Sequence, residues 1–464
     1  SLIGLTWYGF PKAGIRILLP GSNLRLQGDF RMLGEVERLA WWLLKGSPDK
    51  QESTMPASLT QIRMDSKLAH QAPPLRLVFW ETTAGCNLAC VHCRRLDVSR
   101  EVCRDDLSTE QASAFIRTLP ETGKPILVFS GGEPLMRPDV FELAELASSL
   151  GLPLALATNG TIMDERIARR VKETGFRRVS ISCDGPDPGT HDRFRGIDGA
   201  FEASVSGLKL LREAGISMQI NTTVARHNYE KLDDIYQLAL DLGADALHIF
   251  MLVPVGCGMS LSEEIMLRPA EYEKALNWIY DRSLEGKIHL KATCAPHYFR
   301  IMRQRAKQEG REIPQFAHPH KNMGGHPGGQ PGGHPGGHPG GQGGGQGDMT
   351  AMTKGCLAGQ SVCFVSHTGE VFPCGYLPVS SGNVKELSFA SIWRHSPIFR
   401  NLRDDTQLEG KCGACEFKKV CMGCRARAFA TTGDYLAEEP NCDYLPLRLR
   451  QWPTNRQWPG GEAL

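Results

Sequence analysis

A chain of 464 residues is long enough for two or three domains, and with 41% hydrophobic residues it can build a sizeable core. Its 53 basic and 51 acidic residues leave a net charge of +2, which argues against nucleic-acid or membrane partners recruited by bulk charge. No apolar run approaches the roughly 18 residues of a membrane span. Fifteen cysteines cluster at short metal-ligand spacings, and the start, SLIGLTWYGFPKAG, lacks a charged n-region. Both features point to metal ligation in a reducing cytoplasm rather than to disulfides.

Residues 1–70 show no sustained periodicity and read as a poorly ordered N-terminal extension, with Met55 and Met64 as plausible starts. From residue 75 the pattern is regular. Six β-rich runs are expected as strands, at 75–83, 125–132, 152–160, 177–185, 217–224 and 246–254. Amphipathic segments at 137–151, 164–175, 200–215 and 228–243 lie between them, several ending at glycine as helices do. The alternation predicts parallel strands with right-handed crossovers, either an open sheet or a partial barrel, over 75–290. Both architectures put function on the loops after the strands' C-terminal ends. A connecting helical region follows at 291–317, and the Gly-, His- and Pro-rich insert 318–347 reads as a disordered surface loop. A Cys-rich module spans 350–445, and 446–464 is a tail.

The loop after the first strand reads AGCNLACVHC and carries Cys86, Cys90 and Cys93 at C-x3-C-x2-C spacing. Three thiolates leave a metal site one ligand short. His92 is the nearest fourth ligand, yet its place beside Cys93 turns it elsewhere. An iron–sulfur cluster with one open iron accounts for the gap. The loop after the second strand, SGGEP, offers Gly131 and Gly132 for close approach to a ligand, Glu133 to receive an ammonium group, and Pro134.

Together these motifs resemble the radical S-adenosylmethionine (SAM) enzymes. The resemblance implies a partial (β/α)6 barrel and a [4Fe-4S] cluster whose open iron binds the amino and carboxylate groups of SAM. Electron transfer then cleaves SAM to methionine and a hydrogen-abstracting 5′-deoxyadenosyl radical. By position, Asn159, Ser182, Asp184, Arg195 and Asn221 join Gly131, Gly132, Glu133 and Pro134 as implied SAM contacts. The C-terminal cysteines resemble the SPASM extension of this family, which carries auxiliary clusters. By that analogy one or two auxiliary [4Fe-4S] clusters are implied, one on Cys356, Cys363, Cys374 and Cys424 and the other on Cys412, Cys415, Cys421 and Cys442. A structural zinc ribbon at 412–424 is the competing explanation. Of the other cysteines, Cys183 is expected in the core, Cys103 and Cys257 have no evident partner, and Cys294 sits beside His297 and Tyr298.

The strings LKATCAPHYFRIMRQRAK, GCLAGQSVCFVSHTGEVFPCGYLP and GCRARAFATTGDYLAEEPNC narrow the resemblance. They look like the haem synthases of the sirohaem-derived haem pathway, over about 75–445. That family is implied to convert two propionates of iron-coproporphyrin III (coprohaem) to vinyl groups by oxidative decarboxylation. Haem d1-type tetrapyrrole enzymes and SPASM maturases of ribosomal peptides are the alternatives. An unactivated C–H bond calls for a cofactor radical. The electron released with CO2 calls for an acceptor, and a low-potential donor is needed to start. Arg and Lys suit propionates, so Lys291, Arg300, Arg425 and Arg427 are expected at the substrate. His297 is expected as axial ligand to its iron, with His248 second.

Overall fold

The computed structural model describes residues 72–95, 105–260, 265–312 and 355–450, together with two short strands near the N-terminus. Those two, β1 (Ile15–Leu19) and β2 (Ser22–Leu26), pair antiparallel as a hairpin. Otherwise the expected N-terminal extension lies outside the described residues, as do the 318–347 insert, Cys103 and the tail beyond residue 450. No helix among the described residues is long and apolar enough to cross a membrane.

The described residues from 72 onward form a compact unit built on one nine-stranded sheet. The six expected strands are all present: β3 (Leu77–Glu81), β4 (Ile126–Ser130), β5 (Leu154–Thr158), β6 (Phe176–Ser182), β7 (Ser217–Val224) and β8 (Ala246–Met251). They pair in sequence order, all parallel. The sheet then exceeds the expectation at both ends. The segment read as a connecting helix opens instead with a strand, β9 (His289–Thr293), parallel to β8. At the other edge β10 (Val362–Val365) pairs parallel with β3, Val362 opposite Leu77 and Phe364 opposite Phe79. The Cys-rich module thus gives a strand to the barrel sheet, and β11 (Val371–Phe372) pairs antiparallel outside it.

The connections are α1 (Thr109–Thr118), α2 (Val140–Ser149), α3 (Glu165–Thr174), α4 (Pro188–Arg195), α5 (Ala200–Glu213), α6 (Leu232–Asp241), α7 (Pro269–Ser283) and α8 (Tyr298–Gln308). Local sequence sets their ends. Ser108 and Gln111 form a capping box on α1, and α3 runs from an Asp164 N-cap to a left-handed Gly175, as such residues favour.

Side chains alternate across the strands. One set, including Trp80, Phe129, Leu154, Ile181, Ile220 and Ile249, is buried in the main core. The other set faces a single cavity of about 850 Å³, which takes residues from all eight parallel strands, β3 to β10. Alternate residues of eight strands meet in one cavity because the sheet curls into a partial barrel.

Past β11 the chain forms α9 (Phe389–His395), α10 (Pro397–Arg403), the short α11 (Gly410–Ala414) and α12 (Arg425–Thr432). Arg427 on α12 fastens this module to the barrel. Fully buried, it pairs with Glu439 at 3.0 and 3.1 Å and donates to the phenol of Tyr272. It also reaches the carbonyls of Met251 and Leu252 at 3.3 Å and of Cys294 at 2.9 Å. Arg427→Ala strands a buried carboxylate and several carbonyls, so stability should fall by about 3–5 kcal/mol. The measure is the urea unfolding midpoint; Arg427→Lys should recover only part, since one ammonium cannot serve this fork.

Candidate active site

Beyond β3 the chain turns into the loop of Cys86, Cys90 and Cys93. Its shape is set by neighbouring backbone. Gly132 N–H donates to the Thr83 carbonyl at 2.9 Å, Glu133 N–H to Gly85 at 2.7 Å, and Val91 N–H to Phe194 at 3.1 Å. A Cβ on Gly132 would lie 2.2 Å from the Gly85 carbonyl oxygen. The glycine is therefore demanded by the approach of SGGEP to the Cys loop, although Gly131 and Gly132 also line the cavity.

All three thiols are free, half-buried and turned to the cavity. Donors converge on the sulfurs. Leu88 N–H lies 3.5 Å and Asn159 Nδ2 3.9 Å from Cys86, and the Arg195 guanidinium lies 3.7 Å from Cys90. Burial pushes the Cys86 thiol up to about 11 and raises Cys90, so metal binding here displaces protons. His92 supplies no fourth ligand to the set. Its ring stacks flat on Phe194, centroids 3.9 Å apart, and its Nε2 lies 3.7 Å from Asp184. Among the described residues no three His, Cys, Asp or Glu groups are arranged to hold one metal ion, as a zinc with bonds of about 2.0–2.3 Å requires. Three thiols around an open cavity, with sulfur-directed donors, fit a cluster with one free iron.

The expected SAM contacts divide into two groups. Gly131, Gly132, Asn159, Ser182, Arg195 and Asn221 line the cavity. Glu133, Pro134 and Asp184 stand behind it. The Glu133 carboxylate, fully buried, accepts from the Thr158 hydroxyl at 2.7 Å, Asn159 N–H at 2.8 Å and Leu135 N–H at 3.1 Å. Burial pushes its pKa up to about 7. It ties the ends of β4 and β5 together. Asp184 accepts from Thr223 N–H at 2.7 Å and lies 2.5 Å from the Arg195 guanidinium. Burial opposes its charge, but Arg195 and then His92 hold its pKa below the usual carboxylate range. Its part is to aim Arg195.

The expected substrate residues are largely redistributed. Of them, Lys291 and the second-choice His248 line the large cavity. His297 and Arg300 line a second, small pocket instead, together with Cys412, Cys415, Cys421 and Cys442. His297 thus lies beside the C-terminal thiols and outside the lining of the large cavity. Its ring lies 4.9 Å from Tyr272. Arg300 is spent on Glu273, at 2.6 and 2.9 Å. Arg425 serves the Tyr435 and Ala437 carbonyls and lies 3.5 Å from Cys412 Sγ. Arg427 is the clamp described above.

Spacing missed Arg178 and His289, which line the cavity beside Lys291 and His248. The expected second thiol set, Cys412, Cys415, Cys421 and Cys442, does share one pocket. Of the first, Cys356, Cys374 and Cys424 border the large cavity, whereas Cys363 on β10 is buried in the main core. Cys183 is buried as expected, and the Cys257 thiol donates to the Arg95 carbonyl at 2.7 Å.

Comparison with known proteins matches residues 80–239 to the radical SAM superfamily and 356–416 to the iron–sulfur cluster-binding SPASM domain. The "AdoMet-dependent heme synthase" of Methanosarcina barkeri (strain Fusaro / DSM 804) is 50% identical, covering 80% of this chain and 97% of that protein. Its namesake in Nitratidesulfovibrio vulgaris (strain Hildenborough) is 47% identical, covering 82% and 95%. The chain belongs to the AdoMet-dependent heme synthases, a radical SAM family. The fold agrees: the crystal structure of Streptococcus suis SuiB bound to the precursor peptide SuiA superposes with a TM-score of 0.59 at 15% identity, covering 89% of this chain and 87% of that one. The protein is thus an enzyme whose two domains imply SAM and iron–sulfur clusters.

Because Gly132 must pass within van der Waals range of the Cys loop, Gly132→Ala should displace Cys86 while sparing the C-terminal thiols. The expected result is a loss of about four irons and four sulfides per chain, one cluster's worth, with the remainder retained on anaerobic reconstitution.

Proposed function

We propose that the enzyme decarboxylates two propionates of iron-coproporphyrin III to vinyl groups, giving haem b in the cytoplasm. The observation that carries this reading is the charge of the cavity. Arg76, Arg94, Arg95, Lys124, Arg177, Arg178, Arg195 and Lys291 line it, and among the described residues no Asp or Glu does. The wall is also two-sided. Leu77, Phe79, Ile126, Val128, Ala155 and Ala157, from β3 to β5, make an apolar face. Opposite, β6 to β9 present Arg178, Gln219, Asn221, His248, His289 and Lys291. A tetrapyrrole matches this division, with apolar faces and carboxylates at its rim, and the volume lies within the roughly 300–1,000 Å³ usual for small-molecule sites.

Arg94, Arg95 and Arg195 already have carboxylate partners in Glu81 and Asp184. Arg178 donates to the Ser217 hydroxyl at 3.2 Å, and Lys291 lies directly opposite His248 across the β8–β9 ladder. These two cations, close to His248 and His289, are the natural receivers of substrate propionates. His248 Nδ1 is hydrogen-bonded to Gln219 at 2.9 Å, while its buried Nε2 has no hydrogen-bond partner among the described residues. Of the two histidines considered for the substrate iron, this one faces the cavity.

When bound, the open cluster and SAM supply a hydrogen-abstracting radical. Removal of hydrogen from a propionate β-carbon, followed by loss of CO2 and one electron, leaves the vinyl group. Each round therefore consumes one electron from an external low-potential donor and delivers one to an acceptor. The chain's own residues bind the carboxylates, orient the macrocycle and hold SAM beside the Cys loop.

Anaerobically reconstituted enzyme given SAM, reductant and coprohaem should yield 5′-deoxyadenosine and haem b; SAM cleavage with coprohaem unchanged would sink the reading. Arg178→Met should weaken coprohaem binding by about tenfold or more, the worth of a charged hydrogen bond. Burial lowers the pKa of Lys291 to about 8. The side chain is cationic below that value and neutral above it, so coprohaem affinity should fall as pH rises from 7 to 9. Lys291→Met should bind weakly and nearly flatly across the same range, as read by absorbance titration.

A further inference from the structure

We propose that Cys294, and not Cys363, completes the auxiliary cluster site begun by Cys356, Cys374 and Cys424, and that this site forms part of the substrate-cavity wall. The four thiols all line that cavity, and Cys363 does not. Cys294, Cys374 and Cys424 also pack in a single side-chain cluster. Cys356 is brought in by backbone: its N–H donates to the Cys421 carbonyl at 3.1 Å, and a Cβ on Gly355 would lie 2.8 Å from Pro296.

Cys363 has another task. On β10 it stands opposite Val78 and is fully buried in the main hydrophobic core with Val365 and Val371. In that place it behaves as a small apolar residue.

The backbone at Cys294 is built to present a side chain. Its φ of +55° is left-handed, a conformation that non-glycine residues hold only when their surroundings enforce it. The enforcement is visible. The Cys294 carbonyl accepts from the Arg427 guanidinium at 2.9 Å and from the Tyr272 hydroxyl at 3.4 Å. Cys294 follows β9, three residues after Lys291, so this site and the proposed carboxylate receivers share a wall. The other set, Cys412, Cys415, Cys421 and Cys442, lies in the separate small pocket.

The test is loading of the full chain, and it needs no substrate. Cys294→Ala, reconstituted anaerobically beside wild type, should lose about four irons and sulfides per chain or leave a three-iron cluster with its own oxidised-state EPR signal. Cys363→Ala should load fully. Full loading and unaltered EPR spectra in Cys294→Ala, or the iron loss appearing in Cys363→Ala instead, would overturn the proposal. If Cys294→Ala does not fold, Cys294→Ser decides. A serine oxygen at the iron should shift the EPR signal and lower the potential of one cluster, and a spectrum identical to wild type would again refute the assignment.

Discussion

Glu81 is a buried carboxylate shared by three segments of the chain. It ends β3, receives Arg94 and Arg95 from the residues just after Cys93, and lies 2.7 Å from His367 Nδ1, just after β10. Burial opposes its charge, yet Arg94, His367 and Arg95 hold its pKa far below the usual carboxylate range, so it stays ionised at any physiological pH. An ion so deeply placed is tolerated only when paired and hydrogen-bonded. Here the pairing is also topological. The Cys loop, the first barrel strand and the strand contributed by the C-terminal module must assemble together for Glu81 to be satisfied. The β10–β3 ladder, joining residues nearly 300 positions apart, covers a sheet edge that would otherwise be open and leaves Cys356 and Cys374 at the cavity.

Much of this was legible in the sequence. The six strands, the helices between them and the open-cluster motif follow from apolar periodicity, glycine punctuation and cysteine spacing, which act over short stretches. What stayed hidden depends on contacts distant in the chain. β9 is only five residues long and abuts a strongly helical segment; β10 is four residues inside a module whose cysteines drew the attention. The resemblance to the SPASM extension gave Cys363 a ligand's role, while its neighbours Val362, Phe364 and Val365 mark a buried strand.

The substrate residues were misplaced for a related reason. Arg300, Arg425 and Arg427 are charged and stand in distinctive motifs, but charge in a motif does not reveal whether a partner such as Glu273 or Glu439 waits in the fold. A better signal was present. Parallel strands covered on both faces read as continuous apolar runs. RRVSIS, SMQINTTV and HLKAT instead place polar residues at every second position. A polar face on a parallel strand marks a lumen, and it picks out Arg178, Gln219, Asn221, His289 and Lys291 without reference to any motif.

The absence of acidic side chains from the described cavity lining has a consequence for the order of events. On the proposed chemistry, each round removes one carboxylate from the bound molecule while the protein's charge stays fixed. Substrate, half-processed intermediate and product thus form a descending series of anions facing the same cations. The wall's grip loosens stepwise as the work is done. The molecule with one vinyl group is held more firmly than the one with two, so the enzyme favours finishing its ligand over shedding it halfway, and the final product is the species it releases most readily.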